Sequence, residues 1–480
     1  MEEIKLEKLD DYRYLIPKEG GMRVPGLIFV DEKMLAEVRR DESLKQVRNV
    51  AHLPGIVGYS MAMPDMHEGY GFPIGGVAAF DMKTGVISPG GVGYDINCGV
   101  RLLTTNLQRG DVAGKMRELV DALFISVPSG VGSTSEMRLS PDDERKVFLT
   151  GARWAVENGY GTQEDLAHTE EGGCLDGADP SVVSERAIAR GRQQLGTVGS
   201  GNHFVEVGYV EDIYDEKAAK AFGLHQGQVT VFVHCGSRGF GYQVCDDFLF
   251  KMGRAAERQG IVLPDRQLAC AYINSHEGQE YYSAMACAAN YAWANRQMLM
   301  HWVRETFMRV LNIGPRDLGM RLLYDVCHNI AKFETHKVNG KDTKLCVHRK
   351  GATRAFAPGR EEVPEVFRDI GQPVLIPGDM KRASYVLVGT EKAMEQTWGS
   401  TCHGAGRLMS RTAAKKMSAG RSITREMEDA GIIVRGASRG TLVEEIPEAY
   451  KDVNEVVDIV HNAGISRKVA KLRPMGVIKG

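Results

Sequence analysis

Along the chain the apolar positions follow two periods. Val112, Met116, Leu119, Val120 and Leu123 recur every three or four residues, which predicts a helix over 112–123 with one apolar face. The stretch Tyr281–Leu311, rich in Ala, Met and aromatics, predicts a longer core-packing helix. Elsewhere the period shortens to two. Val229, Val231 and Val233 alternate along a strand that ends at His234, while Val374–Ile376 and Tyr385–Val388 are apolar runs bounded by Pro and Gly that read as strands. An α+β protein follows: a single large compact domain with mixed β-sheets and surrounding helices. No Ser/Pro-rich linker, long charge block or fixed-period repeat divides it. His-bearing clusters run from position 95 to 403, so a single active site requires the whole chain, 1–480, to fold as one unit.

Composition narrows the class. With 43% apolar and 25% charged residues the chain is globular, and no run approaches the ~18 apolar residues of a membrane span. The opening Met-Glu-Glu-Ile-Lys has neither a basic leader nor an apolar segment, so the expected compartment is the cytoplasm. A formal charge of −2 excludes nucleic-acid binding through bulk charge; a polyanion must meet a local patch. Nine cysteines without a C-x-x-C pair argue against a disulfide framework and a zinc ribbon. The 55 glycines exceed the usual ~7% and gather beside His, Asp, Cys and Ser.

Five such clusters carry candidate chemistry: Ser88–Gly99, Gly199–Phe204, Val233–Gly239, Asp325–Asn329 and Ser400–Arg407. Glycine beside a functional side chain lets backbone N–H groups face a ligand closely, so these loops are candidate anion nests. Asp95 and Cys98 offer a hard carboxylate and a soft thiolate able to bridge two ions. With His203, His234 and His328 they form a mixed O, S and N set suited to Mn²⁺, Zn²⁺, Co²⁺ or Fe²⁺. Two ions can brace the attacking and leaving oxygens of an in-line phosphoryl displacement. Taken singly, each of these residues also has a bland reading, as a hydrogen-bonded core histidine or a small buried thiol. His403 admits three roles: nucleophile toward phosphorus, a further metal-site histidine, or a packed core residue. His67 reads as a polar loop residue near the site or a structural turn. His52, His168, His225, His301, His336 and His461 lack the glycine-rich setting and read as structural.

These segments resemble the RtcB family of RNA-splicing ligases, from about Arg23 to the last residue. The likeness rests on Gly71–Phe80, Ile87–Arg101, Gly199–Phe204, His234 with Gly236–Gly239, His328–Ala331, Ala383–Gly389 and Gly399–Arg407. The resemblance implies an RtcB-like fold. It also implies a GTP- and Mn²⁺-dependent RNA ligase that joins 3′-phosphate or 2′,3′-cyclic phosphate ends to 5′-hydroxyl ends, as in tRNA splicing and RNA repair. By the same resemblance Asp95, Cys98 and His203 hold one Mn²⁺, and Cys98, His234 and His328 the other. His403 attacks the α-phosphate of GTP, and the GMP then passes to the RNA end as an RNA-(3′)pp(5′)G intermediate. The guanine nucleotide lies against Asn202, His203, Phe204, Val205, Glu206, His328, Asn329, Pro377, Gly378, Asp379, Met380, Ser384, His403, Gly404, Ala405, Gly406 and Lys479. Glu206 or Asp379 accepts hydrogen bonds from the guanine edge and Lys479 reaches its carbonyl oxygen. The Pro377–Lys381 stretch departs from the hydroxyl-and-glycine version of many members, and Cys235 and Cys327 read as packing variants. Arg190, Arg192, Arg238, Arg407 and Arg411 are candidate phosphate clamps or surface ion pairs. Partners are RNA, GTP and, in some members, an archease-type activating protein. Two other readings remain open at this stage: a binuclear metal-dependent phosphodiesterase, and a non-catalytic RNA-binding subunit.

Overall fold

The computed structural model describes residues 4–480. Two large mixed sheets carry the fold. The first runs in the order Glu7–Lys8, Arg13–Ile16, Gly26–Phe29, Ile56–His67, Ile74–Asp81, Lys341–Lys350, Asn329–Val338. All its pairs are antiparallel except Gly26–Phe29 with Ile56–His67. The second runs Arg321–Cys327, Gly99–Gln108, Gln228–Cys235, Phe204–Ile213, Ser466–Lys479, Ser384–Gly389, Pro373–Ile376, and Ile433–Gly436 lies parallel to Ser466–Lys479. Strands drawn from Gly99 to Lys479 interleave in this sheet, and strands from both halves of the chain also pair in the first, which makes the molecule one compact α+β unit. No helix of the described residues is long and apolar enough to cross a membrane.

Both faces of the second sheet are covered, which explains its valine-rich strands. In Gln228–Cys235, Val229, Val231, Val233 and Cys235 pack with Leu299, Met300, Val303 and Phe307 of the long helix. Phe232 turns the other way, toward Val100, Leu102, Phe204 and Tyr324. The two-residue period puts His234 on the Phe232 face.

The long helix spans His276–Leu311; the Ser275 side chain caps its start by accepting from the Gly278 N–H. Its middle is buried all round, including Asn290, Asn295, Arg296 and Gln297. The helix expected over 112–123 is in fact two, Arg109–Ala113 and Met116–Ser126. The chain leaves helical geometry at Lys115 (φ −113°, ψ 5°), whose ammonium donates to the Val310 carbonyl at 2.9 Å near the end of the long helix. Val112, Met116, Leu119, Val120 and Leu123 are all buried in one cluster, so the spacing identified the packing face although the backbone breaks within it. The expected strands occur as Pro373–Ile376 and Ser384–Gly389.

Candidate active site

Four antiparallel neighbours of the second sheet end together, and that end carries the metal-type ligands. Gly99 pairs with both Cys327 and Cys235, and Phe204 pairs with His234. Cys98 precedes Gly99, His328 follows Cys327, and His203 precedes Phe204, so all of them emerge beside His234. The Cys98 Sγ lies 3.4 Å from His203 Nε2 and 3.3 Å from His234 Nε2. His203 Nε2 is 2.8 Å from Asp95 Oδ2, and the Nε2 atoms of His234 and His328 are 3.3 Å apart. Two ligand groups result, Asp95–Cys98–His203 and Cys98–His234–His328, each with its ligand atoms within 4.8 Å of one another. Cys98 belongs to both.

The donors are aimed from behind. His203 Nδ1 bonds to the Val198 carbonyl (2.9 Å) and His234 Nδ1 to the Asn202 carbonyl (3.2 Å), which turns each Nε2 inward. His328 Nδ1 is buried without a partner, so that ring's polar contact is on the Nε2 side alone. Beneath the loop, Asn97 takes a left-handed conformation (φ 53°). Its carbonyl and side-chain oxygen accept from Arg296 (2.7 and 3.0 Å), which also donates to the Cys235 carbonyl and is paired with Asp325. Inward imidazole nitrogens, a thiol and a carboxylate fit a borderline divalent cation better than a hard one such as Ca²⁺.

Burial opposes the His203 charge, but Cys235, Cys98 and Asp95 outweigh it and hold that imidazole well above the usual histidine range, so a metal bound there displaces its proton. Burial opposes the Asp95 charge, but adjacent His203 overrides it and holds the carboxyl down at about 2. Burial, aided by Asp95, pushes the Cys98 thiol up to about 12, so a metal bound there displaces a proton. Burial and then neighbouring imidazoles push His234 and His328 well below the usual histidine range, leaving them neutral, the form that ligates metal.

His403 comes from elsewhere. It follows the short strand Ser400–Cys402, which pairs with Ala352–Arg354, and its ring centroid lies 4.8 Å from that of His328. Asp65, fully buried on Ile56–His67 of the first sheet, accepts from His403 Nδ1 at 2.5 Å through Oδ2. The same oxygen accepts from the backbone N–H groups of His403 (2.9 Å) and Gly404 (3.2 Å). With the proton on Nδ1, Nε2 presents a lone pair, and it makes no hydrogen bond among the described residues. Gly406 (φ +73°) is obligatory here, because a Cβ would lie 2.2 Å from the Asp65 carbonyl oxygen. The ring belongs to neither metal-type group.

A cavity of about 900 Å³ joins these parts. Its walls include the five metal-type residues, His403–Gly406, Asn202, Phe204, Asn329, Pro377–Met380 and Lys479, and also His67, whose Nδ1 bonds the Asp65 carbonyl. Val205 instead packs with Val207 and Val231 on the sheet's other face. Glu206 and Ser384 are buried and bonded to each other at 3.3 Å; burial pushes the Glu206 carboxyl up to about 8. Asp379 is held by its own turn, accepting from Lys381 and Arg382 N–H groups and pairing with the Arg382 side chain. Lys479, buried rather than a solvated tail, donates to the Asn202 carbonyl at 3.3 Å. Arg190, Arg238, Arg407 and Arg411 line the cavity, whereas Arg192 lies off it, paired with Glu144 at 2.7 Å. Cys235 and Cys327 are buried packing residues. Asp65 went unassigned in the sequence, although a lone carboxylate in the apolar run Met61–Met66 demands a buried partner.

An imidazole lone pair held by a carboxylate, beside donors for two cations and four arginines, is equipment for phosphoryl or nucleotidyl transfer. The comparisons narrow that class. Residues 46–480 match the family model for tRNA-splicing ligase RtcB. The chain is 59% identical over 477 residues to the tRNA-splicing ligase RtcB of Archaeoglobus fulgidus, covering 99% of both chains. It is 55% identical to that of Thermococcus kodakarensis over 480 residues and the whole of both chains, and 55% identical to that of Methanococcus maripaludis over 98% of each. The chain belongs to the RtcB family of tRNA-splicing ligases and is a ligase enzyme.

Proposed function

We propose that this protein joins RNA 3′-phosphate or 2′,3′-cyclic phosphate ends to 5′-hydroxyl ends in tRNA splicing and RNA repair, in the cytoplasm, with GTP as co-substrate and two Mn²⁺ ions. The reading takes residues 1–480 as the functional unit. The observation that carries it is His403, whose Nε2 lone pair faces the cavity while Asp65 holds Nδ1 at 2.5 Å.

Nε2 attacks the α-phosphorus of GTP; a P–N bond forms as the bond to pyrophosphate breaks, and Asp65 stabilises the positive charge gained by the ring. An oxygen of the RNA 3′-phosphate next takes the guanylyl group and frees His403. This gives the 3′-phosphate a leaving group, which a phosphate monoester lacks. The 5′-hydroxyl then attacks the RNA-side phosphorus and GMP departs. A cyclic end first takes up water to become a 3′-phosphate. Asp95, Cys98 and His203 would hold one ion and Cys98, His234 and His328 the other, and bound ions would neutralise charge building on the phosphate oxygens. The guanine base is read against Phe204 and Lys479. Glu206 is favoured over Asp379 as its acceptor, because the Asp379 carboxylate is already paired with the Arg382 guanidinium and capped by its own turn.

The test is self-labelling with Mn²⁺ and α-labelled GTP. Label stable to alkali and lost in acid is expected, absent in His403→Ala and slowed roughly 10–100-fold in Asp65→Ala, which loses the group orienting the ring. No label, or label that persists in His403→Ala, overturns the reading. Cyclic-phosphate opening without GTP and without label would make the enzyme a phosphodiesterase instead.

A further inference from the structure

One wall of the cavity is aromatic, and nothing in the reaction above uses it. Tyr94 precedes the ligand Asp95, Tyr242 lies one turn into the helix Arg238–Arg258, and Tyr70 sits just beyond the strand Ile56–His67; all three line the cavity. Tyr94 and Tyr242 stack with centroids 4.7 Å apart and planes 25° apart, and Tyr70 meets Tyr94 edge-on at 5.7 Å. The Arg190 guanidinium lies over Tyr242, 4.9 Å from its centroid. Tyr242 is nonetheless 45% exposed.

The wall is built rather than accidental. Lys350, buried on the first sheet, donates to the carbonyls of Tyr70 (2.7 Å) and Phe72 (3.1 Å) and pins the loop that carries Tyr70. Asn329, next to the ligand His328, donates to the Asp95 carbonyl at 3.0 Å and pins the loop that carries Tyr94. Arg238, held at φ +57° and bonded to Thr197 Oγ1 at 3.1 Å, brings a second guanidinium to the same cavity. Its path depends on Gly199, where a Cβ would fall 1.9 Å from the guanidinium carbon.

Aromatic rings flanked by guanidinium groups are how proteins hold unpaired nucleotides: the rings take the base and the cations take the phosphates on either side. We propose that the Tyr94–Tyr242 wall, with Arg190 and Arg238 at its rim, is a stacking site for an unpaired nucleobase of the RNA strand being joined. This rests on the ligase reading and deepens it. The wall shares no residue with the set expected to hold the guanine nucleotide, so it forms the RNA end of the cavity. A base inside a duplex is stacked on both faces, so the site favours ends whose last bases are unpaired and can be splayed out.

The test compares two short single-stranded oligoribonucleotides ending in a 3′-phosphate, one complete and one with an abasic ribose at each of its last three positions. Their binding to the full chain is read by fluorescence anisotropy without GTP. The complete strand is expected to bind roughly 5- to 100-fold more tightly, a gap that collapses in Tyr242→Ala and survives in Tyr242→Phe. No gap in the unmodified protein, or an equal loss for both strands in Tyr242→Ala, overturns the proposal. Because the gap is read without GTP, failed self-labelling counts against the ligase reading while the stacking site is judged separately.

Discussion

Burial raises the Glu206 carboxyl from 4.5 to about 8; the Ser384 hydroxyl and Lys479 oppose the rise and Asp379 adds to it. The folded protein therefore carries a proton there that the unfolded chain gives up near 4.5. The stability this provides is complete below that pH and is lost as pH rises through about 8. The same proton bears on guanine recognition. On the proposed reading a guanine edge offers two adjacent N–H donors, and only the ionised carboxylate accepts both, because the protonated form turns one oxygen into a donor. GTP binding must then expel the proton, so affinity is expected to rise with pH, approaching tenfold per unit below 8, and to level off above it. Titration calorimetry from pH 6 to 9 measures this, and Glu206→Gln should flatten the slope. An affinity that falls with pH would remove Glu206 as the acceptor. Asp65 shows what residue types in sequence leave unsaid: Pro64-Asp-Met-His67 drew notice for its histidine, but the carboxylate's partner lies 338 positions away.

The elements explain why five candidate ligands scattered over 234 positions, Asp95 to His328, are near neighbours. Four antiparallel strands reach one edge in register and deliver Cys98, His203, His234 and His328 within one residue of their ends, while Asp95 comes from the loop that enters Gly99–Gln108. The glycine-rich clusters marked these strand ends in the sequence, since a chain leaving a sheet beside a ligand needs room. What the sequence hid was the pairing order, set by contacts such as Arg296 on Asn97 and Cys235 that no local pattern records. Likewise the apolar period over 112–123 reports a packing face and is silent on the break at Lys115. Register carries a prediction of its own. Because Cys98 stands between the two ligand groups, Cys98→Ala is expected to lower bound metal at both, whereas His203→Ala spares the group of Cys98, His234 and His328. Metal analysis after equilibrium dialysis decides it, and equal losses from the two variants would contradict a shared thiolate.

At the scale of the molecule, the site is a seam. Asp65 belongs to the first sheet, the metal-type ligands to the second, and His403 to the small sheet between Ala352–Arg354 and Ser400–Cys402. The single-unit reading from the spread of clusters follows from this, because neither large sheet holds both the imidazole and the donors. A cation bound at the seam closes one end of four strands and is absent from the unfolded chain, so it must stabilise the fold by mass action. At a hundredfold excess over its dissociation constant one ion contributes about 2.7 kcal/mol. For a chain of this length that is a rise in Tm of roughly 3 °C. The rise depends on pH, because the Cys98 thiol, held up at about 12, must give its proton to the solvent before it can ligate. Scanning calorimetry with and without Mn²⁺ is therefore expected to show a larger increment at pH 8 than at pH 6, and almost none in Cys98→Ala. An increment that Cys98→Ala leaves intact would mean that the ion binds elsewhere, and the convergence of strand ends at this thiol would then serve packing alone.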